Sequence, residues 1–380
     1  MVEWKKLGEV CNLVRGKVIS KDYLRDNEGE YPVYSSQTAN NGIFGCINSY
    51  MFDGDYLTWT TDGAYAGTIF RRKGKFNITN VCGLIDIKED NLNQDFLYYW
   101  LSLTAKDYVN EGMGNPKLMS NVAATISIPL PSLSEQERIV GILDTFTSSI
   151  ENLKAQISLR RKQYEHYRDK LYYASKADLL EASRNGKAIV KSLDELGTFT
   201  RGRRFVRTDI VPEGVPCIHY GDMYTYYGVS AEETPTHLTK ELSSKLRFAK
   251  NGDVVIVAAG ENDLDIGVGV AWLGKEPAVV HDACFIFEHN MNPKYLSHFM
   301  RSRNYHQQIR MGVVDGKICS ISAKELGRAL IAVPPLHEQQ RIVSILDTFE
   351  ASIQNLEAQL EAREKQYEYY REKLLTFERE

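Results

Sequence analysis

One stretch of the sequence constrains the fold more than any other. From Ile139 to Leu171, apolar or aromatic residues recur at alternating steps of four and three, interrupted by one arginine. This spacing is typical of a coiled-coil seam, and the residues between the seam positions are mostly polar or charged. The pattern predicts a helix of about 40 residues, roughly 60 Å long, with Ser134 and Glu137 as its capping box. A helix of this length with a single apolar face requires a partner.

The partner is predicted within the same chain, because the stretch is repeated. Arg138 recurs as Arg341, 203 residues later, and PSLSEQERIVGILDTF becomes PPLHEQQRIVSILDTF. Identity this close exceeds what heptad composition alone would produce. We therefore expect the two helices to pack as an antiparallel coiled coil that holds apart whatever is attached to their ends. The predicted helix seam consists of Ile139, Leu143, Phe146, Ile150 and Leu153 in the first copy and Ile342, Leu346, Phe349, Ile353 and Leu356 in the second.

A globular block precedes each long helix. Residues 1–130 contain short apolar runs separated by glycine, asparagine and aspartate turns, which predict strands, and residues 94–109 have the pattern of one amphipathic helix. Residues 176–333 repeat this plan with far more divergent residues. We predict an α+β protein with an internal pseudo-twofold repeat, in which two mixed, strand-rich domains are joined by long helices at 131–175 and 334–380.

Composition excludes several classes of protein. Six cysteines are scattered without a Cys-x-x-Cys motif, which favours reduced thiols in a cytoplasmic protein over a disulfide framework or metal site. The sequence contains no run of about 18 apolar residues, so no membrane span is predicted. Residues 1–10 also lack the apolar run of a signal peptide. The formal net charge of −4 does not suggest nucleic-acid binding by itself, but arginines cluster between Arg201 and Arg207. Such a cluster can form a local phosphate-binding patch.

The sequence carries no recognisable motif for catalysis. An N6-adenine methyltransferase needs Asn/Asp-Pro-Pro followed by an aromatic residue to hold a flipped base. The segment from Asn115 to Leu118 has neither the second proline nor the ring. The segment from Gly312 to Lys317 lacks the spacing of a phosphate loop, and the histidines lack metal-ligand spacing. We predict that the chain is not an enzyme and holds no metal or cofactor of its own.

The whole chain resembles the specificity (S) subunit of type I restriction–modification systems. The resemblance rests on the repeated pattern P-x-L-x-E-Q-x-R-I-V-x-I-L-D, at residues 131–144 and 334–347. YPVYSSQ at 31–37 and NPKLMS at 115–120 are also similar to segments of target recognition domains. The second block departs from this pattern, since it has HYGD at 219–222 near the place of Ser-Ser-Gln.

The resemblance implies an architecture and a set of partners. Residues 1–130 and 176–333 would be target recognition domains 1 and 2, each binding one half of a bipartite site on double-stranded DNA. The helices would set the half-site spacing and dock two methyltransferase (M) subunits, and restriction (R) subunits would join the complex, with no membrane role. S-adenosylmethionine, ATP and Mg would be bound by the partner subunits. One alternative is the recognition subunit or a fragment of a related type II (IIB- or IIG-like) enzyme, and another is a coiled-coil scaffold with no DNA role.

Candidate DNA contacts are polar loop residues and clustered cations, the groups that bind base edges and phosphates. The Asn41-Gly42 pair is also a favourable turn, so a purely structural role is an equal alternative, and packing is the favoured role of each tyrosine taken alone. The candidates are Ser35, Ser36, Gln37, Asn40, Asn41, Thr60, Thr61, Arg71 and Lys117 in the first block, and Arg201, Arg203, Arg204, Arg207, His219, Tyr220, Tyr224, Asn262 and Lys317 in the second.

Repeated polar positions on the long helices suggest a second kind of surface. Their near-identity in the two copies is not needed for the seam, so we expect two equivalent docking surfaces for two copies of one partner. In the first copy these positions are Gln136, Arg138, Asn152, Gln156 and Lys162.

Overall fold

A computed structural model of the protein describes residues 2–378 and divides the chain into two compact units. Unit 1 combines Met1–Asn152 with Leu360–Glu380, and unit 2 is Leu153–Gln359. Each long helix therefore begins in one unit and ends in the other. The four segments predicted from the sequence, with boundaries after residues 130, 175 and 333, remain a prediction. Across the described residues, no helix is both long and apolar enough to span a membrane.

The helices and strands follow in chain order. The helices are α1 (Leu7–Val10), α2 (Lys21–Asp26), α3 (Gln94–Thr104), α4 (Ser120–Ala123), α5 (Leu133–Leu171), α6 (Lys176–Arg184), α7 (Leu193–Leu196), α8 (Asp222–Thr225), α9 (Lys240–Ser243), α10 (Pro293–Phe299), α11 (Arg303–Ile309), α12 (Ala323–Gly327) and α13 (Leu336–Leu374). The strands of unit 1 are β1 (Glu3–Lys6), β2 (Cys11–Arg15), β3 (Glu28–Tyr34), β4 (Ile43–Ile47), β5 (Phe52–Thr60), β6 (Ile69–Ile78), β7 (Cys82–Ile87) and β8 (Ser127–Leu130). Those of unit 2 are β9 (Val190–Ser192), β10 (Gly197–Arg201), β11 (Val215–Ile218), β12 (Ser230–Ala231), β13 (Thr236–Leu238), β14 (Phe248–Ala249), β15 (Val254–Val257), β16 (Ala259–Gly260), β17 (Gly269–Trp272), β18 (Ala278–Val280), β19 (Cys284–His289), β20 (Cys319–Ser320) and β21 (Leu330–Ala332).

The two long helices are each 39 residues long, as their repeat predicts. The predicted capping box of Ser134 and Glu137 is wrong, because α5 already begins at Leu133. The hydroxyl of Ser132 instead accepts the amide of Glu135 at 3.4 Å. A proline stands at the place of Ser132 in the second copy, so this side-chain cap is not part of the repeat.

The long helices pack antiparallel within each unit. In unit 1 the Phe146 ring stacks on Tyr370, with centroids 5.3 Å apart, and the Arg363 guanidinium lies 5.6 Å from the Phe146 centroid. In unit 2 the Phe349 ring stacks on Tyr167 at 5.4 Å. The 203-residue repeat relates the two stacks, so each joins the first half of one helix to the second half of the other. The predicted antiparallel pairing is confirmed.

The predicted seam residues differ in how deeply they are covered. Six of them are buried, namely Ile139, Leu143, Ile150, Leu153, Ile342 and Leu346. Four are half-buried, namely Phe146, Phe349, Ile353 and Leu356. The most deeply buried positions lie near the start of each helix, where Leu143 and Leu346 belong to the hydrophobic cores of their units.

Unit 1 contains a six-stranded sheet in the order β2-β7-β5-β6-β3-β4. The β3 and β6 strands run parallel, and the other neighbours are antiparallel. The apolar side of α3, with Phe96 and Leu97, packs in one core with Leu57 and Trp59 of the sheet. This α-helix ends at Thr104 and continues as a 3₁₀ turn to Tyr108, so the helix predicted over 94–109 is shorter than expected.

Unit 2 carries two main sheets, in the orders β10-β19-β15-β17-β12 and β13-β11-β18-β14. The β11 and β18 strands run parallel, as β3 and β6 do in unit 1. The core of this unit includes the apolar strand β15 and the helix α10. The α+β class and the repeated plan predicted for the two blocks are confirmed.

Candidate nucleic-acid interface

The same arginine corner occurs in both units. Arg15, at the end of β2, donates from Nε to the carbonyl of Asn80 at 3.0 Å. Arg201, at the end of β10, donates from Nε to the carbonyl of Asp282 at 2.8 Å. The two bonds join equivalent positions in the two units. Arg201 therefore has a structural role, holding the loop before β19, in addition to the phosphate contact predicted for it.

A glycine follows each of these arginines, and neither position has room for a side chain. A Cβ on Gly16 would lie 2.1 Å from the carbonyl oxygen of Ile78, and one on Gly202 would lie 2.2 Å from that of His281. The obstacle is backbone in both cases, which cannot rotate away as a side chain can. The Arg-Gly pair is therefore a structural feature of both units that was not predicted from the sequence.

Gln136 joins α5 to the rest of unit 1. Its side chain is fully buried, and Nε2 donates to the carbonyls of Asn91 at 2.9 Å and Pro131 at 2.8 Å. Its Oε1 accepts the amide of Asn93, the N-cap residue of α3, at 2.8 Å. The expectation that Gln136 belongs to an exposed docking surface is wrong, because its carboxamide is buried and makes three hydrogen bonds inside unit 1.

The equivalent glutamine does the same in unit 2. Gln339 is buried, donates to the carbonyl of Pro334 at 2.8 Å and accepts the amide of Asn292 at 2.9 Å. Asn292 is the N-cap of α10, the counterpart of α3. The glutamine of the repeated E-Q-x-R pattern is thus explained by attachment of each globular block to its long helix.

We expect Gln136→Ala to lower the free energy of unfolding of unit 1 by roughly 2 to 3 kcal/mol, because three buried polar groups lose their partner. Denaturant unfolding monitored by tryptophan fluorescence measures this effect. The neighbouring Glu137 is exposed, so Glu137→Ala is the matched control and should leave stability unchanged. Equal stability of the two variants would contradict this role of Gln136.

Arg71 also belongs to the attachment of block and helix. Its guanidinium lies 2.7 Å from Asp95 on α3 and 3.2 Å from Asp144 on α5. Asp144 also accepts the hydroxyl of Tyr99 at 2.6 Å, and burial raises the pKa of that tyrosine. Arg71 is therefore committed to structural ion pairs, and we leave it out of the proposed DNA surface.

The counterpart of Asp144 has a similar place in unit 2. Asp347 lies 2.6 Å from Lys294 Nζ and 3.4 Å from His298 Nε2. Burial opposes ionisation of this carboxyl, but hydrogen bonds from His298 and Lys294 outweigh it and lower the pKa of Asp347. The terminal aspartate of the repeated pattern thus anchors α10 to α13, as Asp144 anchors α3 to α5.

Three predicted DNA contacts of unit 1 line one cleft of about 360 Å³. Ser35, Ser36 and Gln37 form one wall, and residues 62–65 and 79–81 form the others. Asn40 and Asn41, farther along the same loop, are exposed. The structure therefore brings the Ser-Ser-Gln segment and the loop after β5 together on one surface.

Thr60 and Thr61 do not contribute to that surface. Both are fully buried. The hydroxyl of Thr60 donates to the carbonyl of Tyr65, and that of Thr61 donates to Asp62 at 2.6 Å. They stabilise the loop after β5, so we exclude them from the proposed DNA contacts. Lys117 lies beside the same loop, half-exposed and 3.6 Å from Asp62.

In unit 2 the arginine cluster is exposed around the corner formed by Arg201. Arg203 donates from Nη1 to the carbonyl of Lys245 at 2.7 Å. The side chains of Arg204 and Arg207 make no hydrogen bond or ion pair with any described part of the chain. These two side chains are the cations of the cluster that are free to reach a phosphate.

We expect the double variant Arg204→Ala/Arg207→Ala to weaken DNA binding by the assembled complex and to flatten its salt dependence. Each lost phosphate contact should reduce the slope of log affinity against log salt by about one. Titration of a labelled duplex at several salt concentrations measures this slope. Lys324→Ala removes an exposed cation elsewhere on unit 2 and serves as the control. A slope equal to that of the control would exclude the phosphate contact.

His219 and Tyr220 occupy the place that Ser35 and Ser36 occupy in unit 1. Ser35 and Ser36 directly follow β3, which runs parallel to β6, and His219 and Tyr220 directly follow β11, which runs parallel to β18. The His219 ring lies 4.7 Å from Tyr220 and 5.0 Å from His281. Burial lowers the pKa of both histidines, which favours their neutral forms. The equivalent position is therefore polar in one unit and aromatic in the other.

The remaining candidates in unit 2 lie on one helix and two loops. Tyr224 is exposed on α8, and Lys317 is exposed in the loop before β20. Asn262 is exposed, but its Oδ1 accepts the amide of Leu264 at 3.1 Å and caps a 3₁₀ turn. The pairing of β16 with β20 brings the loops of Asn262 and Lys317 to the same sheet edge.

The chain is similar to known proteins in both sequence and fold. The profile of the family described as "Type I restriction modification DNA specificity domain" matches residues 1–160 and 185–363. A Mycoplasma pneumoniae protein described as a type I specificity subunit is 30% identical over 381 residues, covering 98% of this chain and 97% of that protein. The specificity subunit of the type I restriction enzyme MpnII from the same species is 40% identical over 168 residues, 43% of this chain and 51% of that protein. The crystal structure of a type I restriction–modification S subunit from M. genitalium aligns with a TM-score of 0.62 at 16% identity, covering 100% of this chain and 97% of that chain.

The chain belongs to the family of type I restriction–modification DNA specificity subunits. The structural similarity supports the fold independently, since it covers the whole chain. The family resemblance inferred from the repeated E-Q-x-R pattern is confirmed.

Proposed function

We propose that this chain gives a type I restriction–modification complex its DNA sequence specificity by reading a bipartite site. Unit 1 binds one half of the site and unit 2 binds the other. The paired helices α5 and α13 set the spacing of the half-sites and dock two methyltransferase subunits, and restriction subunits join this core. Family membership supports the general role, and the division of labour within the chain is our inference.

One observation carries the proposal. The two units share an internal framework, namely the Arg-Gly corner and the buried glutamine, whereas the half-buried residues at one pair of equivalent positions differ. Ser35 and Ser36 stand where His219 and Tyr220 stand. A shared scaffold with different polar groups at its surface is the arrangement expected of two modules that read different base sequences, because specificity depends on the donors and acceptors presented to base edges.

The exposed repeat on the long helices supports two docking surfaces. The ion pair of Arg138 with Glu135 recurs as Arg341 with Glu338, at 2.7 Å in both copies. Each pair is exposed and only one turn from the buried glutamine, so it adds little stability of its own. Two nearly identical exposed surfaces in one chain suit two copies of one partner.

We propose that the chain is not catalytic, and that S-adenosylmethionine, ATP and Mg are bound by its partner subunits. One group of potential metal ligands occurs among the described residues: His298, Asp347 and Glu350. The Lys294 ammonium lies 2.6 Å from Asp347, and the Tyr164 hydroxyl contacts both His298 and Glu350 at 3.1 Å. A lysine within the group competes with a cation, so this cluster fits an anchor between α10 and the helices better than a metal site.

Sequencing of methylated bases tests the proposal. The full chain is co-expressed with the methyltransferase subunit of its own system in a host that lacks other methylation. We expect one split motif, with two specified segments separated by a gap of unspecified bases. Omission of this chain should abolish the signal. A continuous motif, or methylation without the chain, would overturn the proposal.

A further inference from the structure

The loop between β3 and β4 in unit 1 is closed by its own hydrogen bonds. The amide of Ser35 donates to the carbonyl of Gly42 at 3.1 Å, and the carboxamide of Gln37 donates to the carbonyl of Ile43. The loop is therefore a compact projection whose ends are tied together, and its shape is set before any ligand binds.

The tip of this loop has an unusual backbone. Asn40, Asn41 and Gly42 have φ values of +49°, +51° and +77°, so three successive residues are left-handed. Left-handed backbone is disfavoured for residues with a side chain, although asparagine tolerates it better than most. Such conformations persist only where surrounding structure enforces them, and they cluster at functional sites. The side chains of Asn40 and Asn41 are both exposed.

The buried side chain of Arg72 packs under the loop and stabilises this conformation. Its side chain is 2% exposed, and Nη1 donates to the carbonyl of Asn41 at 2.8 Å. Nε donates to the hydroxyl of Thr58 at 3.1 Å, and the guanidinium lies 3.6 Å from the centroid of the Tyr34 ring. A Cβ on Gly42 would lie 2.9 Å from Nη2, so the glycine lets the loop settle onto the guanidinium.

The charge of Arg72 faces aromatic rings rather than an acid, since the centroids of the Tyr34 and Phe70 rings lie 3.6 and 4.3 Å from its guanidinium. Its Nη2 is buried without a hydrogen-bond partner, and no carboxylate in residues 2–378 forms an ion pair with it. Burial lowers its pKa. A buried cation without an acidic partner is costly, and a loop placed over it is well suited to approach an anionic ligand. DNA supplies that negative charge on both sides of each groove.

We propose that Asn40 and Asn41 form a base-reading tip for the half-site of unit 1, and that Arg72 is the positioning residue that fixes this tip. The carboxamides discriminate an adenine, because an asparagine can donate to N7 and accept from the N6 amino group of that base in the major groove. This inference rests on the proposed function, and it adds which residues set the specificity of one half-site and which base class they select.

The test uses the full chain assembled with its methyltransferase subunits and duplexes in which each base pair of the methylated motif is changed in turn. The variant Asn40→Gly/Asn41→Gly removes both carboxamides while glycine keeps the left-handed backbone available. We expect discrimination at one A·T pair of the unit 1 half-site to fall roughly 5- to 150-fold, the range for one bidentate base contact. Discrimination in the other half-site should stay unchanged. Asn48→Gly, at an exposed asparagine outside the loop, is the control.

Arg72 is tested by the same readout. Arg72→Met should relax discrimination at the same base pair, whereas Arg72→Lys, which retains one donor for the Asn41 carbonyl, should restore part of it. A role in stability alone would lower the melting temperature without changing the pattern of base preference. The inference is overturned if the double glycine variant keeps every base preference of the wild type, whatever the folding of the Arg72 variants. If the wild-type complex methylates no split motif, the proposed function itself has failed.

Discussion

Duplication of one heptad in both long helices is expected to widen the gap between the half-sites by about three base pairs. Seven residues add about 10.5 Å to an α-helix, and one base pair occupies about 3.4 Å along DNA. Residues 150–156 and 353–359 are equivalent heptads that begin at the seam residues Ile150 and Ile353. Their simultaneous duplication preserves the alternation of four and three on both sides of the seam.

Methylation sequencing of this paired duplication measures the gap directly. We expect both specified segments to be unchanged and methylation at the original spacing to be lost. Duplication in α5 alone is the control, because it shifts stacks such as Phe146 on Tyr370 out of register and should abolish methylation at every spacing. An unchanged gap in the paired variant would show that the helices do not determine spacing.

Gly202→Ala is expected to lower the free energy of unfolding of unit 2 by about 3 kcal/mol or more, which is in the upper range for overpacking a core. The added Cβ would lie 2.2 Å from the carbonyl oxygen of His281 and 2.4 Å from that of Val280. Both obstacles are backbone, so relief requires β10 or the end of β18 to move. Recognition of the half-site read by unit 2 should be lost with that movement.

Hydrogen exchange resolved by peptide distinguishes this local effect from global unfolding. Peptides of β10, β18 and β19 should lose protection, whereas peptides of β5 and β6 in unit 1 should keep it. Gly228→Ala provides the matched control, because a Cβ there meets nothing within 4 Å. Protection equal to that of the control would contradict the role assigned to the Arg-Gly corner.

The long helices were predictable because their signal is local and repeated. Alternation of four and three places Leu143 and Leu346 on the seam whatever surrounds them, and both are fully buried. The shared sequence of the two copies also identified each helix as the partner of the other. The start of α5 was less predictable, because Ser132 and Ser134 are both plausible caps and the choice depends on where the preceding strand ends.

The polar residues were harder to assign, because hydrogen-bonding groups serve both surfaces and buried networks. Thr60, Thr61 and Gln136 have the residue types of a DNA surface, yet all three are buried with internal partners. Nothing in the local sequence distinguishes these roles, since two of the three partners of Gln136 lie 43 and 45 residues away. The repetition of Gln136 as Gln339 was visible, but repetition alone does not reveal burial.

Arg71 and Arg72 show why strand register matters. Adjacent residues of a strand point to opposite faces. Arg71 therefore reaches the carboxylates of α3 and α5, whereas Arg72 lies beneath the loop of Asn41. Arg71 was predicted from the sequence as a DNA contact, and Arg72 was not. Only the pairing of β6 with its neighbours separates their roles.

Domain exchange tests whether each block reads its own half-site. Residues 2–130 are replaced by the aligned segment of the M. pneumoniae protein that is 30% identical to this chain, and the methylated motif is sequenced for both parents and the hybrid. We expect one half of the motif to become that of the relative, while the other half and the gap stay those of this chain. A hybrid that changes both halves, or keeps both, would contradict it.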